Sequence, residues 1–379
     1  MKSIFPDKGK DTEEIMDKID EAREKDMNFS SGRIFGSMCT ESPDLAKEVY
    51  SRFLESNLGN PGLYPGTSQL EEEVHEAVGS LIDAGDVESL SVGGGTEGNI
   101  IALWRARERS GRRKVLLPES AHFSFEKACS LLDMESEYIP LTDDFKMDIE
   151  VLKNKLEAER EEIAAVVGIA GTTELGAIDP IEQIGELSED IYFHVDAAFG
   201  GFVIPFLEEL DHDLPAFDFE VKGVDSLTLD PHKMGMAPIP LGLFYSREGE
   251  DISIDSPYLT GGGQKSIRGT RASASIPAFW AVMHHFGKEG YKNLISACME
   301  KTYYLIDRME EVGFEPIIEP NMNIASFRYE EPDEMVERLY EKGWNVSRTV
   351  HPKGLRFVVM PHVSFEGIDE IVEILSGMI

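Results

Sequence analysis

The chain has 379 residues, enough for one large domain of roughly 250 residues and a smaller one. Its 71 acidic against 36 basic side chains leave a formal net charge of −35, which argues against nucleic-acid binding, because neutralising phosphates takes a basic face. No apolar run approaches the roughly 20 residues that cross a bilayer, and Met1 to Lys10 has no signal-like apolar core, so a cytoplasmic protein without membrane partners is expected.

In chain order, an amphipathic helix is predicted near residues 12–26 and a second from Pro43 to about Asn57. Asn57 to Thr67 carries three glycines and two prolines and reads as an ordered loop, followed by a periodic helix from about Ser68 to Ala84. From residue 88 short apolar runs alternate with helical stretches. The expected strands are Glu88–Val92, Lys114–Pro118, Glu137–Ile139, Ala164–Ile169, Ile191–Val195, Ser226–Leu229 and Leu241–Tyr245. Helices are expected at Thr96–Arg109, His122–Leu132 and Ile149–Arg160. Continuous apolar strands alternating with helices predict an α/β fold with a mostly parallel sheet covered on both faces. The rhythm then changes to a long helix (Tyr291–Val312), a strand (Ile324–Tyr329), a helix (Pro332–Lys342), a strand (Leu355–Met360) and a last helix (Gly367–Met378), a small α+β unit. The expected division is an N-terminal segment of helices and loop at 1–60, a large domain at 61–288 and a small C-terminal domain at 289–379, tightly packed on each other.

Ligands of parallel α/β sheets bind at the carboxyl ends of the strands, and the chemically distinctive residues of this chain fall there. Gly93-Gly-Gly-Thr96 closes a strand and opens a helix, which suits an anion held by backbone N–H groups and the Thr96 hydroxyl; a plain glycine turn would look the same. Asp196 closes the expected strand Ile191–Val195, on the same face as His194 two residues earlier. Lys233 follows the neighbouring strand in Asp230-Pro-His-Lys, with His232 beside it as a phosphate ligand. A partly desolvated lysine that condenses with an aldehyde, and a carboxylate that keeps a pyridine nitrogen protonated, are what pyridoxal 5′-phosphate requires of a protein. The competing reading makes Asp196 a turn cap, His194 a satisfied core histidine and Lys233 a surface lysine. Cys39, Cys129 and Cys298 have no metal-like spacing, and no metal site is expected.

Five segments in this order resemble the group II pyridoxal-phosphate-dependent amino-acid decarboxylases, the archaeal L-tyrosine/L-aspartate decarboxylases in particular. They are Gly94–Asn99, Ser120–Ala128, Ala170–Asp179, His194–Phe202 and Asp230–Gly235. The resemblance spans the chain. It implies the fold type I, PLP-dependent transferase-like architecture: a large seven-stranded, mostly parallel sheet domain and a small C-terminal domain. It also implies that Lys233 condenses with the cofactor aldehyde, that Asp196 binds the ring nitrogen and that His122 stacks on the ring. Gly95, Thr96 and His232 would hold the phosphate, Thr172 would contact the ring substituents, and Ala198 would pack on the opposite face. Members are homodimers with the active site at the interface, and the N-terminal segment would make dimer contacts. Gly269-Thr270-Arg271 matches the segment that reaches the partner's phosphate, and Arg356 matches a small-domain arginine that binds a substrate carboxylate.

The substrate stays open between L-tyrosine, giving tyramine towards methanofuran, and L-aspartate, giving β-alanine towards coenzyme A. Leu63 and Tyr64 offer an apolar wall for an aromatic ring, whereas an aspartate side chain needs a further cation, for which Arg268 and Arg271 are the candidates. The proton donor to the substrate carbon is open among His122, Tyr258 and a partner residue. Asn60-Pro-Gly, Thr40 to Asp44 and Thr270-Arg-Ala-Ser depart from the expected pattern. A carbon–carbon lyase of the sphingosine-phosphate type shares the cofactor motifs and is the competing activity.

Overall fold

The computed structural model describes residues 5–378 apart from 7, 248–251, 255, 256, 258, 261, 262 and 272; Tyr258 therefore lies outside the described residues. Three helices come first, α1 (Thr12–Arg23), α2 (Asp44–Arg52) and α3 (Pro65–Leu81). The alternating region follows as β1 (Glu88–Val92), α4 (Gly95–Ser110), β2 (Lys114–Pro118), α5 (Ser124–Leu132), β3 (Glu135–Ile139), α6 (Ile149–Glu159) and β4 (Ile163–Ile169). It continues through α7 (Ile181–Leu187), β5 (Tyr192–Asp196), α8 (Ile204–Glu208), β6 (Ser226–Leu229) and β7 (Gly242–Ser246). The remainder is α9 (Ser275–Glu311), β8 (Ile324–Arg328), α10 (Pro332–Glu341), β9 (Ser347–Thr349), β10 (Gly354–Val358) and α11 (Phe365–Ser376).

Seven strands form one sheet in the order β1-β7-β6-β5-β4-β2-β3. All of its pairings are parallel except those of β7, which runs antiparallel to both β1 and β6. Strands β4 and β5 are buried along their whole lengths, as expected of a sheet with helices on both faces. The registers set Asp196 of β5 beside Thr228 of β6 and Ile169 of β4, so the segments that follow these strands emerge side by side at one edge.

A second, antiparallel sheet has the order β8-β10-β9. Strand β9, Ser347-Arg-Thr349, was not expected: three polar residues give no period-two apolar signal, and only pairing with β10 makes them a strand. Helix α9 also starts 16 residues before the helix predicted from Tyr291. Pro277 lies in its first turn, where a missing N–H costs nothing, and the helix kinks at Gly287, whose φ of 57° lies in the left-handed region. The largest apolar core runs from the big sheet into the small one, taking in Val195 and Leu227 as well as Ile324 and Val358. The N-terminal segment joins the small sheet as well. Phe35 packs with Trp344 and Phe357, and the N–H groups of Phe35 and Gly36 donate to the Asn345 carbonyl.

Candidate active site

The segments that follow β1, β2, β4, β5 and β6 converge at the carboxyl edge of the large sheet, around a cavity of about 530 Å³. That is a size typical of small-molecule sites. Gly95, Thr96, His122, Asp196, Ala198, His232 and Lys233, all singled out from the sequence, line it. Thr172 is buried one step behind the wall, its Oγ1 accepting from Ala177 N (3.0 Å), while Gly171 and Thr173 on either side face the cavity.

Asp196 is held on both carboxylate oxygens. Oδ1 accepts from the Ala198 N–H (3.0 Å) and Oδ2 from Asn99 Nδ2 (2.8 Å). Asn99 is buried in α4, one turn after Gly95, and also donates to Ser124 Oγ (3.0 Å). Its Oδ1 lies 3.0 Å from His194 Nε2, and His194 Nδ1 lies 2.8 Å from Ser226 Oγ. With Nδ2 donating to a carboxylate, Asn99 Oδ1 must accept, which assigns the His194 proton to Nε2 and makes Nδ1 the acceptor for the Ser226 hydroxyl. Burial drives the His194 pKa down to about 4, so the ring is neutral at neutral pH. His194 is thus a satisfied core histidine that orients Asp196 through Asn99.

Beyond the adjacent strand β6, Lys233 Nζ lies 3.2 Å from Asp230 Oδ2. The neighbouring His232 Nδ1 donates to the Leu241 carbonyl (2.5 Å), which turns Nε2 towards Asp230 Oδ2, 3.8 Å away. Asp230 is buried, and its Oδ1 finds no hydrogen-bond partner among the described residues. His122 is fixed by its own Nδ1, which accepts from the Ser124 N–H (3.2 Å) and so leaves the ring proton on Nε2. Desolvation lowers the His122 pKa, against the opposing pull of Asp196, and keeps the ring uncharged.

These walls fit a flat ring bearing an aldehyde and a phosphate. At the start of α4 a side chain on Gly95 would put its Cβ 3.1 Å from Ala198 Cβ and 3.2 Å from Asp230 Oδ2, so the backbone must be bare there. Gly94, at φ 143°, takes a conformation that L side chains rarely adopt. The first-turn N–H groups of such a helix have no intrahelical partner and attract an anion. In the same cavity lie a fixed carboxylate (Asp196) and an amine (Lys233), as the ring nitrogen and the aldehyde require.

Three predicted residues stand apart from the cavity. Arg356 is buried and donates to Ser347 Oγ (2.7 Å), the Thr173 carbonyl (2.5 Å) and the Gly36 carbonyl (2.9 Å), joining three segments of the chain. Desolvation lowers its pKa to about 10, with Glu174 acting in the opposite direction. Thr270 is exposed on the loop beyond the cavity mouth. Tyr64 packs half-buried against the large core, beside an exposed Leu63. Of the two arginines considered for an acidic substrate, Arg271 is paired with Glu71 in a different pocket, whereas Arg268 lines this one. Sequence reasoning missed Asn99, Asp230 and Glu97. Asn99 could have been found by its spacing, since position i+4 from Gly95 shares its helix face.

The pyridoxal-dependent decarboxylase conserved domain matches residues 5–330. The chain is 45% identical over 361 residues, 93% of its length and 99% of the relative's, to a probable L-tyrosine/L-aspartate decarboxylase of Methanothermobacter thermautotrophicus. It is 42% identical over 385 residues, 99% of both lengths, to an L-aspartate/L-glutamate decarboxylase of Pyrococcus horikoshii. Among solved structures, a sphingosine-1-phosphate lyase of Burkholderia pseudomallei superposes with a TM-score of 0.87 at 25% identity, covering 99% of this chain and 92% of that one.

Proposed function

The chain belongs to the pyridoxal-dependent decarboxylase family, and on that premise we propose that Lys233, Asp196 and His122 are its catalytic residues and L-aspartate its substrate. Removal of the carboxylate of an amino acid with pyridoxal 5′-phosphate as cofactor is the activity of this family. The cofactor supplies an electron sink for the pair released when the bond from Cα to the carboxylate breaks.

The observation that carries the residue roles is the pairing of a doubly hydrogen-bonded Asp196 with Lys233 across one cavity. Asp196 holds a proton at the ring nitrogen, and Asn99 and the Ala198 N–H keep its oxygens from turning away. Lys233 presents its Nζ to the cavity, 3.2 Å from Asp230 Oδ2. His122 covers the ring, and its Nε2–H is free to orient the departing carboxylate or to return a proton at Cα. Gly95, Thr96 and His232 receive the phosphate, Ala198 closes the opposite face, and Thr172 supports the ring substituents from behind.

Aspartate is the substrate common to the names of both relatives, which is why it is preferred; β-alanine, a precursor of coenzyme A, would be the product. Tyrosine is the second reading, favoured by the name of the relative that is 45% identical, and would give tyramine, towards methanofuran. Tyr64 contacting the side chain belongs to the same reading if a second copy of the chain completes the site, whereas Arg356, its donors spent on Ser347, Thr173 and Gly36, ties segments of the chain together instead of binding the substrate carboxylate. A homodimer is supported by apolar surface left open on one chain. Helix α1 buries none of its residues, and Ile15, Met16, Ile19, Leu54 and Leu63 are exposed. Thr270 would then reach the partner's phosphate. Light scattering at micromolar concentration gives a mass near 85 kDa, twice the 42.3 kDa of one chain, if this is right, and one chain mass if it is wrong.

The deciding experiment measures CO2 and amine release from L-aspartate, L-tyrosine, L-glutamate and a sphingoid phosphate by the cofactor-loaded protein. Aspartate turning over fastest, with β-alanine as product, is the expected result. Tyrosine turning over faster would overturn the substrate assignment, and aldehyde release from the sphingoid phosphate without CO2 would overturn decarboxylation itself.

A further inference from the structure

We propose that Arg268 is the cation of the phosphate cradle, clamping the cofactor phosphate from within the same chain. This rests on the cofactor reading above and goes beyond the residues assigned there.

The cradle carries a negative load that its own backbone does not offset. Glu97, in the first turn of α4, turns back so that its Oε2 accepts the Gly93 N–H at 2.7 Å, and its Oε1 is buried without a partner among the described residues. Asp230, also buried, stands 3.2 Å from where a Gly95 Cβ would be, with its Oδ1 unpartnered. A helix N-terminus contributes only about half a positive charge. A phosphate dianion entering between two carboxyl groups therefore needs a further cation, and the Lys233 amine is reserved for the aldehyde.

Arg268 is the only arginine among the described residues that lines this cavity. Its Nε donates to Glu97 Oε2 at 2.9 Å, which fixes the guanidinium plane. The plane lies against Gly93, so closely that a Cβ there would stand 2.4 Å from Nη2, 2.7 Å from Cζ and 2.9 Å from Nη1. Both Nη groups make no hydrogen bond among the described residues, and the side chain is 40% exposed at the cavity mouth. Ser266 Oγ holds the Arg268 carbonyl at 2.7 Å, which pins the loop that carries it. A guanidinium fixed by Nε, with two free Nη groups facing a helix N-terminus, is arranged for bidentate contact with a phosphate. The same placement takes Arg268 away from the substrate side chain. The loop also serves two sites in a dimer, Arg268 its own phosphate and Thr270 the partner's.

The test compares the full chain with R268A and R268K, titrated with pyridoxal 5′-phosphate and with pyridoxal, which has the aldehyde and ring but no phosphate. Binding is read by absorbance and activity is not needed. Losing a charge-assisted contact corresponds to about a 10- to 100-fold weaker pyridoxal-phosphate affinity in R268A. Pyridoxal affinity should change less than about threefold, R268K should fall between, and inorganic phosphate should compete with the cofactor less well in R268A than in the original chain. Equal losses for both ligands, or a lowered unfolding midpoint of cofactor-free R268A and R268K together with those equal losses, would assign Arg268 a structural role and overturn the proposal. So would unchanged cofactor affinity with a raised KM for aspartate, which would make Arg268 a substrate ligand. Failure of the unsubstituted chain to bind either compound would overturn the cofactor reading itself, a result distinguishable from a loss confined to R268A.

Discussion

Truncating Asn99 to alanine tests the arrangement that holds Asp196. In the native chain the Asn99 amide donates to Asp196 Oδ2 (2.8 Å) and Ser124 Oγ (3.0 Å) and accepts from His194 Nε2 (3.0 Å), and all four side chains are buried. Its loss removes one hydrogen bond to a charged group, about 1.5–3 kcal/mol, and strands the His194 N–H, about 1–3 kcal/mol. A water entering the vacated space recovers part of this, so about 3 kcal/mol of destabilisation is expected. Denaturant unfolding of the cofactor-free protein at pH 7 measures it. N99D makes the test specific. It sets a second carboxyl group within hydrogen-bond distance of Asp196, and the shared site must keep one proton, so the pair's folded pKa rises above its unfolded value. The cost is then largest above that raised pKa and shrinks as pH falls through it, so N99D should recover towards the native chain between pH 7 and 5 while N99A does not. A loss below about 1 kcal/mol in N99A, or N99D and N99A keeping the same gap to the native chain at every pH, would refute the account of Asp196 as a residue held through Asn99.

Lys233→Ala should abolish CO2 release and the absorbance change on cofactor binding, whereas Asp196→Asn should keep part of the binding and lose most of the turnover; an unchanged absorbance in the lysine variant would discard its assignment. Gly95→Ala should weaken cofactor binding at least tenfold with an unaltered far-ultraviolet circular dichroism spectrum, because its Cβ would stand 3.1 Å from Ala198 and 3.2 Å from Asp230; unchanged binding would mean the cradle is elsewhere. Arg356→Lys should lower the melting temperature, since one ammonium cannot serve Ser347, Thr173 and Gly36 together; a raised KM without a lower melting temperature would instead make Arg356 a substrate ligand. Stability should also fall with acidification. Burial depresses the pKa of His75 to about 3 and of His194 to about 4, so below pH 6.5 the unfolded chain takes up protons that the folded chain refuses. Each contributes a loss of about 1.4 kcal/mol per pH unit between 6.5 and its folded value. Asp179, raised by burial to about 6, has the opposite slope between pH 6 and 3.8, which leaves these three groups together with a net loss of about 1.4 kcal/mol per unit between pH 6 and 4. Unfolding midpoints at pH 6.5, 5.5 and 4.5 would show it, and a flat profile would contradict the burial of these histidines.

What was legible in the sequence, and what was not, follows from the range of the interactions involved. Strand ends and the residues just beyond them could be read because apolar runs and turn residues are local signals, and Asp196, Lys233 and the glycine turn lie in such short segments. Strand β9 could not, because three polar residues become a strand only through β10. Arginines show the limit most clearly. Nothing within a few residues of Arg268, Arg271 or Arg356 distinguishes an active-site cation from a structural one. In the fold, Arg356 spends three donors on acceptors 9, 183 and 320 residues away in sequence, and Arg271 answers a glutamate 200 residues away. Arg268 meets Glu97 across 171 residues and keeps two nitrogens free. The same logic explains why Asn99 was overlooked while Gly95 and Thr96 were not. A polar residue in a helix is by default a solvent-facing one, and its burial is visible only once β5 brings His194 and Asp196 against the same turn of α4. One turn of that helix thus supplies the bare backbone for a phosphate, the carboxylate that binds Arg268 and the amide that fixes Asp196. A shift of α4 along its axis would therefore disturb both ends of a bound cofactor together, and a side chain at Gly98, whose Cβ would stand 2.6 Å from Thr228 Oγ1, would push the helix away from β6.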